Sequence, residues 1–340
     1  LEDREDGGFR DEEWYRFGRT QNLGLWEQPK LLVPYMITEL GAHLDRGENS
    51  YFINVTTGGY GVTVSPGQIQ LPYLCGLLNS RLLDFYLKQV STNFRGGYFA
   101  ANKQFLDELP IKLIDPKKKA EVKLEKEIVE RVEQIQAAHR QRVKLPEVLA
   151  RLIAHNADRV RCNLAHYLQK DFAAAVKPEI LIDDVQRTGF VHAISLAGDG
   201  QELTLTATVA PTAEAQPQPL PVLRLAAKDD ALRQFLYAGW QRFLAEHSRQ
   251  KKWTKGKKAE AIYPLLVNAL EPLVYFNASA GDNLRAIREL MKNVAAEAGT
   301  ADLAAAEAEI AKLDAEIGAR VYELYGLTDD EIAVVEGRTK

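Results

Sequence analysis

Residues 91–103, STNFRGGYFAANK, bring together side chains that suit one kind of partner. Arg95 and Lys103 are cations, Asn93 carries an amide, and Phe94, Tyr98 and Phe99 offer aromatic faces. They surround Gly96-Gly97, where a backbone can turn tightly or approach a ligand closely. Guanidinium and amide groups match the edges of bases, ammonium groups match phosphates, and rings stack on bases. The same vocabulary recurs in residues 14–34, WYRFGRTQNLGLWEQPKLLVP, where Arg19, Gln21, Asn22 and Lys30 alternate with aromatics. Thr57 and Tyr60 flank a second glycine pair, Gly58-Gly59. Taken one at a time, these features are equally a surface loop anchored by Trp14 and Trp26 and a solvated hairpin tip. A phosphate-binding glycine loop is excluded at 91–103, because neither GxxxxGK[ST] nor GxGxxG is present.

Several elements must position these residues. Residues 71–88 place Leu74, Leu77, Leu78 and Phe85 at helical spacings, with Arg81, Asp84 and Lys88 on another face, which predicts one core-packing helix. Residues 51–64, YFINVTTGGYGVTV, predict two strands joined at Gly58-Gly59. Leu31 to Val33 reads as a strand after a turn or short helix. Beyond Pro116, residues 117–143 are rich in helix formers and read as a long amphipathic arm. Helix is expected to continue through 147–176. Residues 180–225 then alternate like strands (FVHAISL, LTLTATV, PVLRL), predicting a small antiparallel sheet. Residues 229–247 form a helix with an apolar stripe of Leu232, Phe235, Leu236, Trp240 and Phe243. Ala-, Glu- and Leu-rich helices follow, bounded by Asp282, Gly299 and Gly326, and the final one opens on a capping box of Thr328 and Glu331.

Composition narrows the classes. No apolar run approaches the roughly 20 residues that span a bilayer, so no membrane partner is expected. Cys75 and Cys162 are the only cysteines, which excludes a disulfide framework and a thiolate metal site and suits a cytoplasmic setting. Cys75 reads as a small buried residue and His155 and His166 as surface or packing residues; no metal site is expected. Asp115, Glu121 and Lys123 fit a loose D-x5-E-x-K nuclease pattern, but Glu121 and Lys123 fall in a helical charge run instead of on converging strands. The net charge is −4, yet Arg81, Lys88, Arg95, Lys103, the lysines at 117–119 and the run RQKKWTKGKK (249–258) are local basic clusters. Screening confines each charge to about 10 Å at 0.1 M salt, so such clusters can bind phosphates on an acidic protein.

The set GRTQNL, PKLLVP, YFINVTTGGYGV, YLCGLLNSRLLDFYLK, STNFRGGYFAANK and FLDELPI, spread in order over residues 14–116, resembles one family. It is similar to the TaqI-like specificity domain at the C-terminus of adenine-specific DNA methyltransferases. The nearest kind is the type II restriction-modification fusion of subclass G. The expected fold is α+β: the resemblance implies a mixed target-recognition domain at 1–116 followed by a helical arm at 117–145, and the residue pattern gives a mainly helical region at 146–340 with a β insert at about 180–225. It implies sequence-specific recognition of double-stranded DNA within restriction-modification and phage defence. Neither the FxGxG-type loop nor the (N/D)PP(Y/F) motif of the family's catalytic domain occurs here; Asp115-Pro116 is followed by lysines. S-adenosylmethionine, base flipping and N6-adenine methylation are therefore expected of an upstream methyltransferase domain of the same polypeptide, and no cofactor or catalytic residue of this chain. The chain, which opens at Leu1, is expected to be a fragment with its natural C-terminus nearby.

The residues expected at or near bases are Arg19, Gln21, Asn22, Thr57, Tyr60, Asn93, Arg95 and Tyr98. Those expected at phosphates are Lys30, Lys88, Lys103, Lys251, Lys252 and Lys255. Two other classes stay open: a type I specificity subunit, which typically carries two recognition domains, and a non-catalytic helical scaffold. For the lysine run the plainer reading is a solvated loop. Replacing Lys251, Lys252 and Lys255 with glutamine should reduce the salt slope of DNA binding by about 0.9 for each phosphate that these lysines neutralise. An unchanged slope would make the cluster ordinary surface.

Overall fold

The computed structural model describes residues 23–48, 50, 58–155, 159–162, 164–167, 176–249, 258–270, 273–276 and 280–338. Helix and sheet are mixed, as expected. The chain divides into two compact units, one of Leu1–Gln134 with Leu313–Lys340 and the other of Ile135–Lys312.

In the first unit, β1 (Lys30–Pro34) lies between β3 (His43–Asp45) and β4 (Gly59–Val62), antiparallel to both. Leu31, Leu32 and Val33 are all buried, as a central strand covered on both faces demands. β4 is the described part of the predicted hairpin, and its first strand falls outside the described residues. A second three-stranded sheet has the order β2 (Met36–Ile37), β6 (Tyr98–Ala100), β5 (Asn93–Phe94). Tyr35 joins the two: its amide donates to the Gly58 carbonyl at 3.1 Å and its carbonyl accepts from Ala101 at 2.7 Å.

The helix expected over 71–88 is two helices, α1 (Leu71–Leu78) and α2 (Arg81–Val90). Side chains make the break. Asn79 Nδ2 donates to the Cys75 and Ala42 carbonyls at 2.8 and 2.9 Å, closing α1 against a distant loop. Ser80 Oγ donates to Leu77 O at 2.6 Å and accepts from the Leu83 amide at 3.4 Å, opening α2 as its N-cap. Apolar periodicity runs through such a joint unchanged, whereas Asn and Ser competing for backbone groups end one helix and start the next. α1 is buried nearly all round, and Gly76 is why it can be. A Cβ there would sit 2.6 Å from Ile128 Cγ2 on the long helix α4 (Lys119–Ala154) and 3.7 Å from Ile317 on α9 (Leu303–Tyr325). The short α3 (Lys103–Leu106) follows β6, capped by Asn102.

In the second unit the helix after Pro146 ends at Ala154. Where helix was expected to continue, the backbone of β7 (Arg159–Cys162) pairs with β13 (Leu273–Phe276), and a short α5 (Leu164–Tyr167) follows. That ladder joins segments far apart in sequence, so no local periodicity announces it. The antiparallel sheet expected at 180–225 is present and larger, in the order β12 (Glu260–Ala261), β9 (Thr188–Asp199), β10 (Glu202–Ala210), β11 (Gln218–Ala227), β8 (Val176–Ile180). The predicted stripe of Leu232, Phe235, Leu236, Trp240 and Phe243 on α6 (Asp230–Arg249) is buried in one core with Leu203, Leu205, Leu223 and Leu225 of the sheet. α7 (Ile262–Ala269) and α8 (Ala280–Ala298) contribute Leu266 and Met291 to it. In the first unit, α10 (Asp329–Val335) opens on the expected Thr328–Glu331 capping box, and Gly326 before it has φ 70°.

One buried polar pair supports β1. Lys30 and Asp45 are directly opposed across the ladder, 5% and 0% exposed, and the ammonium is hydrogen-bonded to the carboxylate and, at 2.5 Å, to the Trp26 carbonyl. The Gly47 and Glu48 amides complete the Asp45 shell at 3.1 and 2.8 Å. Burial would raise the Asp45 pKa, but the Lys30 contact and the two amides outweigh it and hold the carboxyl below its ordinary range. Asp45→Ala should therefore lose on the order of 3 kcal/mol in urea unfolding, because it strands a buried ammonium. A Lys30→Met, Asp45→Leu double should recover most of that. The sign with pH follows from the depressed value: the contribution is complete above the unfolded pKa of about 3.9 and is lost as pH falls through the lower folded one. A loss for Asp45→Ala no larger than that of an exposed ion pair would refute this role.

Candidate nucleic-acid interface

Residues 91–100 form a hairpin that projects polar and aromatic side chains. β5 and β6 pair Asn93 with Phe99 and Phe94 with Tyr98, leaving Arg95, Gly96 and Gly97 as a three-residue turn. Gly96 and Gly97 have φ of 91° and 79°, a region that L side chains enter at a cost of about 1–2 kcal/mol each. Nothing lies within 4 Å of where a Gly97 Cβ would be, so the glycines serve the turn and also keep its tip thin. The base of the hairpin is pinned by Ser91, whose Oγ donates to the Ala100 carbonyl at 2.7 Å and accepts from its amide at 3.1 Å. Asn93, Arg95 and Tyr98 are all exposed, and Arg95 has no hydrogen-bond or ion-pair partner among the described residues.

Two of the expected phosphate-binding lysines stand at the ends of neighbouring helices. Lys88, in the last turn of α2, is half-buried; its ammonium donates to Asp84 at 2.6 Å and lies 5.8 Å from the centre of the Phe99 ring. Asp84 is itself held by the Leu40 amide at 2.7 Å, so Lys88 is positioned by groups on both sides. Lys103 is exposed at the start of α3 and lines a groove of about 360 Å³ with Tyr60, Thr63, Leu74, Leu106 and Ile111. The structure thus brings Tyr60 and Lys103, far apart in sequence, to one groove. Lys30 stands apart from the others because its ammonium is buried against Asp45. Arg19, Gln21, Asn22, Thr57, Lys251, Lys252 and Lys255 lie outside the described residues.

The remaining chemistry-bearing residues have structural occupations. Burial pushes the Cys75 thiol up to about 11, which leaves it protonated and unreactive at neutral pH. Glu121 accepts from the Asp115 amide at 3.1 Å and from Lys118 at 3.0 Å, contacts that hold its pKa below the ordinary range. Lys123 pairs along the helix with Glu127 at 3.7 Å, so the D-x5-E-x-K pattern does not converge. His155 is exposed at the end of α4, with Nδ1 2.7 Å from the Arg151 carbonyl. Among the described residues no three His, Cys, Asp or Glu side chains are placed to hold a metal ion. No described helix is long and apolar enough to cross a membrane.

One device has no clear signature in the sequence. The Leu-Pro-Ile exit is clasped by two phenols: Tyr73 donates to Lys112 O at 2.9 Å, while Tyr325 donates to Pro110 O at 2.7 Å and accepts from the Lys112 amide at 3.1 Å. Burial raises both tyrosines' pKa values, so both remain donors at neutral pH. Only the polar hydroxyl on each otherwise apolar stripe could have hinted at the clasp.

Residues 7–111 match the family model of the TaqI-like C-terminal specificity domain, a stretch that contains the hairpin and the groove and ends inside the clasped exit. No curated protein matches the chain. Among solved structures, the crystal structure of the Type-I restriction-modification system S subunit from M. genitalium aligns with 87% of this chain and 83% of its own, at a TM-score of 0.41 and 9% identity.

The turn supplies its own test. Gly97→Ala should strain the backbone by about 1–2 kcal/mol. Amide hydrogen exchange at Ala100 should then accelerate while that at Leu83 and Leu87 stays slow. Unchanged protection at Ala100 would mean the left-handed turn is not what holds the hairpin.

Proposed function

We propose that this chain recognises a specific sequence in double-stranded DNA within a restriction-modification system. The observation that carries this reading is the specificity-domain match over 7–111, whose span includes the exposed hairpin of Asn93, Arg95 and Tyr98. Arg95 suits a bidentate contact to guanine and Asn93 one to adenine, since each presents paired groups in the right geometry. Tyr60, with Arg19, Gln21, Asn22 and Thr57, extends the set near bases. Lys88, Lys103 and the lysines at 251, 252 and 255 fit phosphate contacts that set register without reading sequence. Lys30 acts through β1, as the partner of Asp45.

In this reading the recognised duplex is presented to an upstream domain of the same polypeptide that flips the target adenine and methylates its exocyclic nitrogen. S-adenosylmethionine supplies the methyl group there. Gly96 and Gly97 join two strands, so they lack the helix N-terminus that a nucleotide-type cofactor loop uses, and no residue of this chain is assigned to the cofactor.

A good bidentate base contact discriminates by about 1–3 kcal/mol. Arg95→Ala should therefore weaken binding to the preferred duplex by that amount and leave binding to unrelated duplexes nearly unchanged, as read by competition titration. Equal losses on both would move Arg95 from the bases to the backbone.

A further inference from the structure

One face of the β2–β6–β5 sheet carries three large side chains that are more than a third exposed. Directly opposed residues of antiparallel strands share a face, as do residues two apart on one strand. The pairs Phe94–Tyr98 and Met36–Ala100 therefore put Phe94, Tyr98 and Met36 on the same side. These three large side chains are 37%, 43% and 46% exposed. The pairs Ile37–Phe99 and Asn93–Phe99 define the other side, where Ile37 is 4% exposed and Phe99 half-buried beneath Lys88. The molecule thus buries Ile37 on one face, where Asn93 at the edge is exposed, and leaves two rings and a thioether partly open on the other, beside a buried Ala100.

An apolar patch with a polar rim marks a place where something binds. Here the polar group placed beside it is a cation, Arg95, which is exposed and has no hydrogen-bond or ion-pair partner among the described residues. Arg95 emerges from the turn immediately between Phe94 and Tyr98, and the glycines beside it add no bulk. A phosphate satisfies the cation but gains nothing from rings and a thioether, whereas the π-face of a base does. Bases in an intact duplex have those faces covered by their neighbours. The patch can be used only where a base step is opened, as apolar side chains do when they enter a stack.

We propose that Met36, Phe94 and Tyr98 form a stacking face for a base unstacked from duplex DNA, beside Arg95. This rests on the DNA-recognition reading and adds to it a site that distorts the duplex as well as reading it. Sequence preference at that step would come from how easily it opens, pyrimidine–purine steps being the most flexible.

The test begins with the full chain and a pool of random duplexes. Enrichment of a sequence supports DNA recognition; no enrichment overturns that reading and this proposal with it. 2-Aminopurine is then placed at each position of the enriched duplex. A rise in fluorescence on binding at one step is expected, lost in Phe94→Ala and Tyr98→Ala and kept in Tyr98→Phe. Each ring removed should weaken binding about tenfold. The wild-type thermal transition should persist in every variant, since both positions are exposed. Enrichment with no rise at any position overturns the stacking face alone. So does a rise, or an affinity, that the alanine variants leave unchanged, and the patch would then cover a protein surface.

Discussion

Tyr35 contributes two backbone hydrogen bonds on which the placement of the exposed hairpin depends. Its amide is tied to Gly58, at the start of β4, and its carbonyl to Ala101, at the end of β6. The chain from Lys30 to Ile37, bending at Tyr35, thus serves first as the buried centre of one sheet and then as an edge of the next. The exposed hairpin inherits its position from the buried strand. Such an arrangement suits a reader of bases, where misplacement by an ångström forfeits a hydrogen bond.

Stability and presentation are separated along that run. At one end, Lys30 and Asp45 are taken out of water and held by several hydrogen bonds, an arrangement that penalises the loss of either partner far more than it rewards the pair. At the other, Met36 and Tyr98 stay in water although both are large and apolar. Their partial burial contributes less to folding than that of Leu31 and Val33, which are 0% exposed. The same division governs the cations: Lys30 belongs to the fold, Lys88 is held by Asp84, and Arg95 is exposed with no partner among the described residues.

The sheet and helices around this site were legible wherever local chemistry decides structure. The apolar run at Leu31 to Val33, the stripe on α6, the strands at 180–225 and the capping box at Thr328 all follow from periods and end-signals a few residues long. The break at Asn79-Ser80 was written in the sequence too, but in side-chain competition for backbone groups and not in apolar spacing. β7 was not legible, because its partner β13 lies more than a hundred residues on and neither segment is a strand without the other.

For the site, residue types alone determined that 91–103 is a cationic, aromatic, glycine-jointed hook, since those properties survive in any conformation. The sequence determined also that methyl-transfer motifs are missing. Only the tertiary structure decided which of the cations are free to meet a ligand, because a lysine's role depends on what faces it: Asp45 opposite Lys30, Asp84 beneath Lys88, and solvent around Lys103. It alone decided that Met36 joins Phe94 and Tyr98, since a shared face is a property of strand register, and register is set by hydrogen bonds between segments some sixty residues apart.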